Sequence, residues 1–219
     1  MAVFSVLNFG RLIGEGHPHD GVPYAVFAFV GLLPWTHFAT SLTQATPSLV
    51  LAGDILKKTA FPQEVVPLAR VLAALLDLGI GLVALAGLLA WHGVTPAAAW
   101  ASVPLVFALQ LVFTIGLALL LSAANMFFRD VNYLLQVVIV LGMFATSVVY
   151  PVETTSEAAG AVLALNPMSA YIDAYRDGLL LGQWPSAERL LPGAVGAVLS
   201  IAVGATVFAR CAPRFAEEV

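Results

Sequence analysis

VVPLARVLAALLDLGIGLVALAGLLAW, from Val65 to Trp91, carries Arg70 and Asp77 as its only charged residues. A helix needs roughly 20 apolar residues to cross a ~30 Å hydrocarbon core, and this run is longer than that. Working outward, Tyr24 to Val50 forms a second such run with Pro34 inside it. After the turn signal His92-Gly93-Val94-Thr95-Pro96 come Ala97 to Ala124, Val131 to Tyr150 and Leu190 to Ala209. The pattern predicts full spans at 24–50, 65–91, 97–124, 131–150 and 190–209 within a single transmembrane domain, 1–219. Residues 1–13 form an apolar stub of about 20 Å at 1.5 Å per residue, read as the outer part of a truncated first span.

Composition agrees with that class. Hydrophobic residues make up 60% of the 219 and charged residues 10%, and the mean hydropathy is +0.94. Soluble domains carry about 25% charged residues, so the predicted fold is an all-α integral membrane protein. The net charge of -4 gives no reason to expect a nucleic-acid partner. Cys211 is the lone cysteine, which excludes a disulfide framework. Met1 to Ile13 has neither a basic start nor a small-residue cleavage site, so it does not read as a signal peptide.

Between the last two spans, 151–189 is too polar to cross and too apolar for a plain loop. Met168, Tyr171, Ile172, Tyr175 and Leu179 recur at helical spacing, with Asp173, Arg176 and Asp177 on the other side. One or two short external helices, interfacial or re-entrant, are expected there. The Lys/Arg bias sets orientation. A cytoplasmic C-terminus puts Lys57, Lys58, Arg70, Arg129, Arg210 and Arg214 inside, leaving Arg11, Arg176 and Arg189 outside.

The chain has no G-x-x-x-x-G-K-[ST] loop to cradle a nucleotide triphosphate, no G-x-S-x-G elbow and no H-E-x-x-H pair. His17-Pro18-His19-Asp20 has a metal-like look, and a polar loop entering a span explains it equally. Asn125, Arg129 and Asp130 share the loop before the fourth full span, as helix-capping groups or as a gate. An intramembrane enzyme would need a nucleophile beside His37 or His92, and no motif supplies one.

Polar side chains inside spans need partners or water. On 131–150, Asn132, Gln136, Met143, Thr146, Ser147 and Tyr150 share one face. On 24–50, Thr36, Thr40, Thr43 and Gln44 form a stripe with Phe29 at its outer end, while Phe27, Trp35 and Phe38 lie opposite. Such stripes are interhelical glue or the wall of a hydrated path; aromatic faces beside hydroxyls suit sugar rings. Asp77, sharing a face with Ala73, Gly81 and Ala84, is expected to be hydrogen-bonded within helix packing. Gly196, Ser200 and Gly204 read as a packing face. The loop 54–64 is an ordinary basic turn or a lever held by a cytoplasmic partner.

Several short motifs, in order, resemble one family. Gly31-Leu32-Leu33-Pro34-Trp35, Lys58-Thr59-Ala60-Phe61-Pro62-Gln63-Glu64-Val65-Val66-Pro67, Asn125-Met126-Phe127-Phe128-Arg129-Asp130-Val131, Val149-Tyr150-Pro151-Val152 and Leu165-Asn166-Pro167-Met168 resemble permease subunits of type-2 ABC transporters. The likeness is greatest to exporters of O-antigen, capsule or teichoic-acid polysaccharide. It implies a six-span subunit in the inner membrane that pairs with itself, each copy docking on a separately made ATPase. ATP and Mg would reside in that partner, with no cofactor on this chain. Ile55, Lys57, Lys58, Phe61, Pro62 and Glu64 would belong to the coupling helix. Phe29, Thr36, Thr40, Thr43, Asn132, Gln136, Met143, Ser147 and Tyr150 would line the glycan path. The family pattern also has an amphipathic helix and a complete first span before the position of Met1. A drug or lipid permease of the same family, or an ATP-independent carrier, are the competing expectations.

Overall fold

The computed structural model describes residues 23–53, 61–146, 148 and 165–215, and every regular element among them is helical. In chain order, α1 is Tyr24–Ala45, α2 Ser48–Leu51, α3 Val65–Trp91, α4 Val103–Phe127, α5 Asp130–Phe144, α6 Pro167–Leu179 and α7 Ala187–Cys211. A 3-10 turn, Ala98–Ser102, leads into α4, and another, Ala212–Arg214, follows α7. Tyr24–Ala45, Val65–Trp91, Ala98–Phe127 and Ala187–Arg214 are long and apolar enough to cross a membrane. The protein is an all-α integral membrane protein, as its composition requires. The stub 1–13, His17–Asp20, residues 54–60 of the basic loop and 151–164 lie outside the described residues.

Several expected boundaries shift for local reasons. The run 24–50 divides at Thr46-Pro47 into α1 and α2, because Pro47 has no N–H to continue the helical ladder. The run 131–150 is helical over Asp130–Phe144, 15 residues or about 22 Å, and then turns at Ala145-Thr146. Asn166 holds that turn. Its amide donates to the Ala145 carbonyl at 2.9 Å and to Thr146 Oγ1 at 3.1 Å. Its Oδ1 accepts from the Met168 N–H at 3.0 Å, capping α6. The turn after α3 is the one its sequence signals. Gly93 takes φ 71°, and the N–H groups of Gly93 and Val94 close on the carbonyls of Ala90 and Leu89, a Schellman stop that favours glycine.

Packing is uneven around the bundle. The tightest seam joins α4 and α7. A Cβ on Gly204 would collide with the Gly116 carbonyl, and one on Gly116 with the backbone of Ser200 and Ile201. These two backbones touch with no side chain between them, as small residues permit in membrane helices. The packing face expected from Gly196, Ser200 and Gly204 is therefore real, with Gly196 seated on Pro167. One apolar core gathers Val30, Trp35, Phe38, Val106, Met168 and Tyr171. A smaller one, toward the C-terminal end, holds Leu49, Leu119, Met126, Phe208 and Phe215.

By contrast, α3 buries only a narrow line, Pro67, Val71, Ala74, Leu78, Leu85 and Leu89, against α1 and its neighbours. α5 buries Leu135 alone. Both present broad apolar faces outward, including Leu76, Ile80 and Val83 on α3 and Val137, Val140 and Leu141 on α5. In a soluble protein such faces would aggregate; in a bilayer they meet lipid or another membrane helix.

Candidate functional site

α6 is the element whose environment departs furthest from expectation. Its polar residues were expected on the side opposite Met168, Tyr171, Ile172 and Tyr175, yet Arg176 and Asp177 are buried along with those four. A 13-residue helix is too short to cross a membrane. Here α1, α4, α7 and the 3-10 turn surround it, and its polar groups find partners in them. Tyr171 donates to the Gly193 carbonyl at 2.6 Å. Tyr175 donates to Gln110 Oε1 at 2.8 Å. Gln110, fully buried within α4, passes the connection on by donating to the Pro34 carbonyl at 2.9 Å. Arg176 lies 3.7 Å above the Phe27 ring centre, donates to the Val148 carbonyl at 2.7 Å and pairs with Asp173 at 3.5 Å. Asp177 pairs with Arg189 at the start of α7 at 3.3 Å.

The two polar stripes occupy different settings. On α1, Thr36, Thr43 and Gln44 are exposed, and Phe29 and Thr40 half-buried. Thr36 satisfies its hydroxyl on the Leu32 carbonyl at 2.7 Å. On α5, Gln136 is exposed, while Asn132 and Met143 are half-buried; the Asn132 N–H donates to Asn125 Oδ1 at 3.2 Å. Thr146 turns inward to bond Gly142. Ser147 and Tyr150 are not among the residues whose side chains are described.

Within one copy the stripes do not converge. α5 meets α1 through Trp35, 3.1 Å from where a Cβ on Gly142 would stand, not through the threonines. Between α1, α4 and α5 runs an apolar groove of about 400 Å³ lined by Trp35, Phe38, Phe113, Leu117 and Val138, with Thr146 and Asn166 also on its wall.

Of the loop residues singled out for coupling, Ile55, Lys57 and Lys58 fall outside the described residues. Pro62 and Glu64 are exposed, and Phe61 is half-buried, packed against the smaller core around Leu49 and Phe215. Asp77 overturns its expectation. It is exposed on the outer side of α3 and forms neither of the ion pairs found among the described residues. A carboxylate at the centre of a membrane helix costs about 2.5–3.5 kcal/mol. His37 is 3% exposed with neither ring nitrogen hydrogen-bonded among the described residues. Phe107 packs on it at 5.8 Å, and no hydroxyl among the described residues donates to it as a nucleophile would. Among the described residues no His/Cys/Asp/Glu group is arranged to hold a metal.

Buried polar links around a short helix, and outward polar stripes on neighbouring spans, fit a transport bundle better than an enzyme pocket. The family model described as ABC-2 type transporter matches residues 1–180. The chain belongs to the ABC-2 type transporter family. A Klebsiella pneumoniae relative named O-antigen export system permease protein RfbA is 31% identical over 195 residues, covering 89% of this chain and 75% of the relative. A Myxococcus xanthus protein of the same name is 32% identical over 216 residues, covering 98% and 82%. As an ABC-2 type transporter chain, this is a multi-pass membrane protein that serves as a membrane subunit for transport. Sequence reading missed the Pro34–Gln110–Tyr175 link, although an amide inside the apolar run 97–124 was its visible signal.

Proposed function

We propose that this chain is the permease subunit of an exporter that carries polysaccharide or lipid-linked glycan of the O-antigen kind across the inner membrane. Two copies pair, each docks on a separate ATP-hydrolysing subunit that holds ATP and Mg, and the C-terminus is cytoplasmic. The observation that carries the reading is the outward stripe of Thr36, Thr40 and Thr43 on α1. Hydroxyls of this kind gain little from lipid and suit a path completed by a second copy. Phe29, Asn132, Gln136, Met143, Ser147 and Tyr150 are assigned to the same wall, and the names of the relatives supply the substrate class. Exposed Pro62 and Glu64, with Ile55, Lys57 and Lys58, form the surface offered to the ATPase, while Phe61 anchors the base of that loop.

The test is complementation. A strain lacking its own exporter, given this chain with its ATPase, should regain surface glycan. Combined Thr36→Val, Thr43→Val and Gln136→Leu should cut that glycan severalfold while membrane levels hold. Unchanged export by this variant would refute the path. A second reading, a permease for drugs or lipids, draws on the apolar groove beside Trp35 and Phe38. It predicts ATPase stimulation by an apolar compound and none by glycan.

A further inference from the structure

α3 runs from Val65 to Trp91, so Asp77 stands about 18 Å from one end and about 21 Å from the other at 1.5 Å per residue. That is the middle of any bilayer the helix crosses. Asp77 lies about a quarter turn round the helix from the buried line Val71, Ala74, Leu78 and Leu85; it is exposed there, and no described residue bonds it. Arg70, on the same helix, sits about 10 Å nearer the end of the span and makes no ion pair with it. Lipid headgroups lie roughly 15 Å away, at the edge of the hydrocarbon core.

We propose that this face of α3 docks a transmembrane helix of a second membrane protein, one presenting a lysine or arginine at mid-depth to Asp77. Charge complementarity selects that occupant. A second copy meeting this face with its own α3 about a two-fold axis would bring carboxylate toward carboxylate, and like charges repel strongly where the dielectric is low. The surroundings fit a helix: Ala69, Ala73, Ala84 and Gly87 flank Asp77 on the exposed side. Nothing lies within 4 Å of where a Cβ on Gly87 would stand. Small neighbours let a partner backbone approach closely enough for its side chain to reach the carboxylate.

The purified full chain in phosphatidylethanolamine–phosphatidylglycerol vesicles tests this against two synthetic transmembrane peptides. Both are built of leucine with an alanine seam; one carries a single arginine at its midpoint and the other leucine there. Energy transfer should show the arginine peptide binding roughly tenfold tighter, in keeping with interhelical polar contacts in membranes. Asp77→Leu should abolish the preference and Asp77→Glu retain it. Equal binding of the two peptides to the unmodified chain overturns the proposal, as does a preference that survives Asp77→Leu. Copy-to-copy disulfide formation by Ala73→Cys in a Cys211→Ser background would assign the face to a second copy, and that also overturns it.

Discussion

Replacing Gln110 by leucine tests whether α6 is held by the polar link to α1. Gln110 bridges two elements, donating to the Pro34 carbonyl at 2.9 Å and accepting from Tyr175 at 2.8 Å. Interhelical hydrogen bonds in membrane proteins average about 0.6 kcal/mol with a maximum near 1.7, so losing two removes about 1–3 kcal/mol. The change also orphans the Tyr175 hydroxyl, at 6% exposure, and an unsatisfied buried group adds about 1–3 kcal/mol. The expected loss is about 2–6 kcal/mol. Tyr175→Phe should cost less, about 1–3 kcal/mol, because it strands only the Gln110 oxygen. The two changes together should fall short of their sum by about 1 kcal/mol or more, since the second removes a group the first has already orphaned. Reversible unfolding of the chain in lipid–detergent micelles measures all three. Additive losses, or a Gln110→Leu cost below about 0.5 kcal/mol, which is the level expected of an unremarkable site, would refute the link.

Gly204→Val should separate α4 from α7, because its side chain must enter the space of the Gly116 carbonyl; a loss of about 3 kcal/mol or more should appear as unfolding in mild detergent. Arg176→Gln removes the charge above Phe27 and weakens the bond to Val148. It should cost about 2–4 kcal/mol and raise thiol labelling of a cysteine placed at Thr146, in a Cys211→Ser background. At the loop, Phe61→Ala should lower stability by about 1–3 kcal/mol, since the ring packs on the smaller core. Pro62→Ala with Glu64→Lys should instead leave stability within about 0.5 kcal/mol and weaken co-purification of the ATPase. Equal effects of the two changes on stability would remove the distinction between anchor and docking surface.

The spans were legible because a bilayer demands long apolar runs, and Val65–Trp91 answers that demand at both ends, down to the glycine stop at Gly93. Interruptions were harder to see. The turn after Phe144 depends on Asn166, which is twenty-one residues from Ala145 in sequence, so no local window contains it. Burial of α6 was not legible for a similar reason. Periodicity separates apolar from polar residues, but it cannot tell water from buried partners on the polar side, and Arg176 has partners on α1 and beside α5. Asp77 shows the converse. Its small neighbours were read as a packing face; Gly81 does pack, against Leu33 of α1, while Ala73 and Ala84 are exposed, so spacing shows that a face suits a helix but not how much of it this chain covers. The stripe on α1 was legible as a stripe, while its outward direction required the packing of Trp35 and Phe38 to be known.

The contact between Gly116 and Gly204 acts as a fulcrum. Two backbones in direct touch cannot slide along one another without lifting a carbonyl over its neighbour, whereas tilting costs far less. From Gly204, α7 extends seven residues to Cys211 and seventeen to Ala187, arms of about 10 Å and about 25 Å at 1.5 Å per residue. A tilt that moves the short arm by a given distance therefore swings the long arm roughly two and a half times as far in the opposite direction. The long arm carries Gly193 and Arg189, to which Tyr171 and Asp177 of α6 are bonded. A small displacement near the C-terminus would thus arrive enlarged at α6.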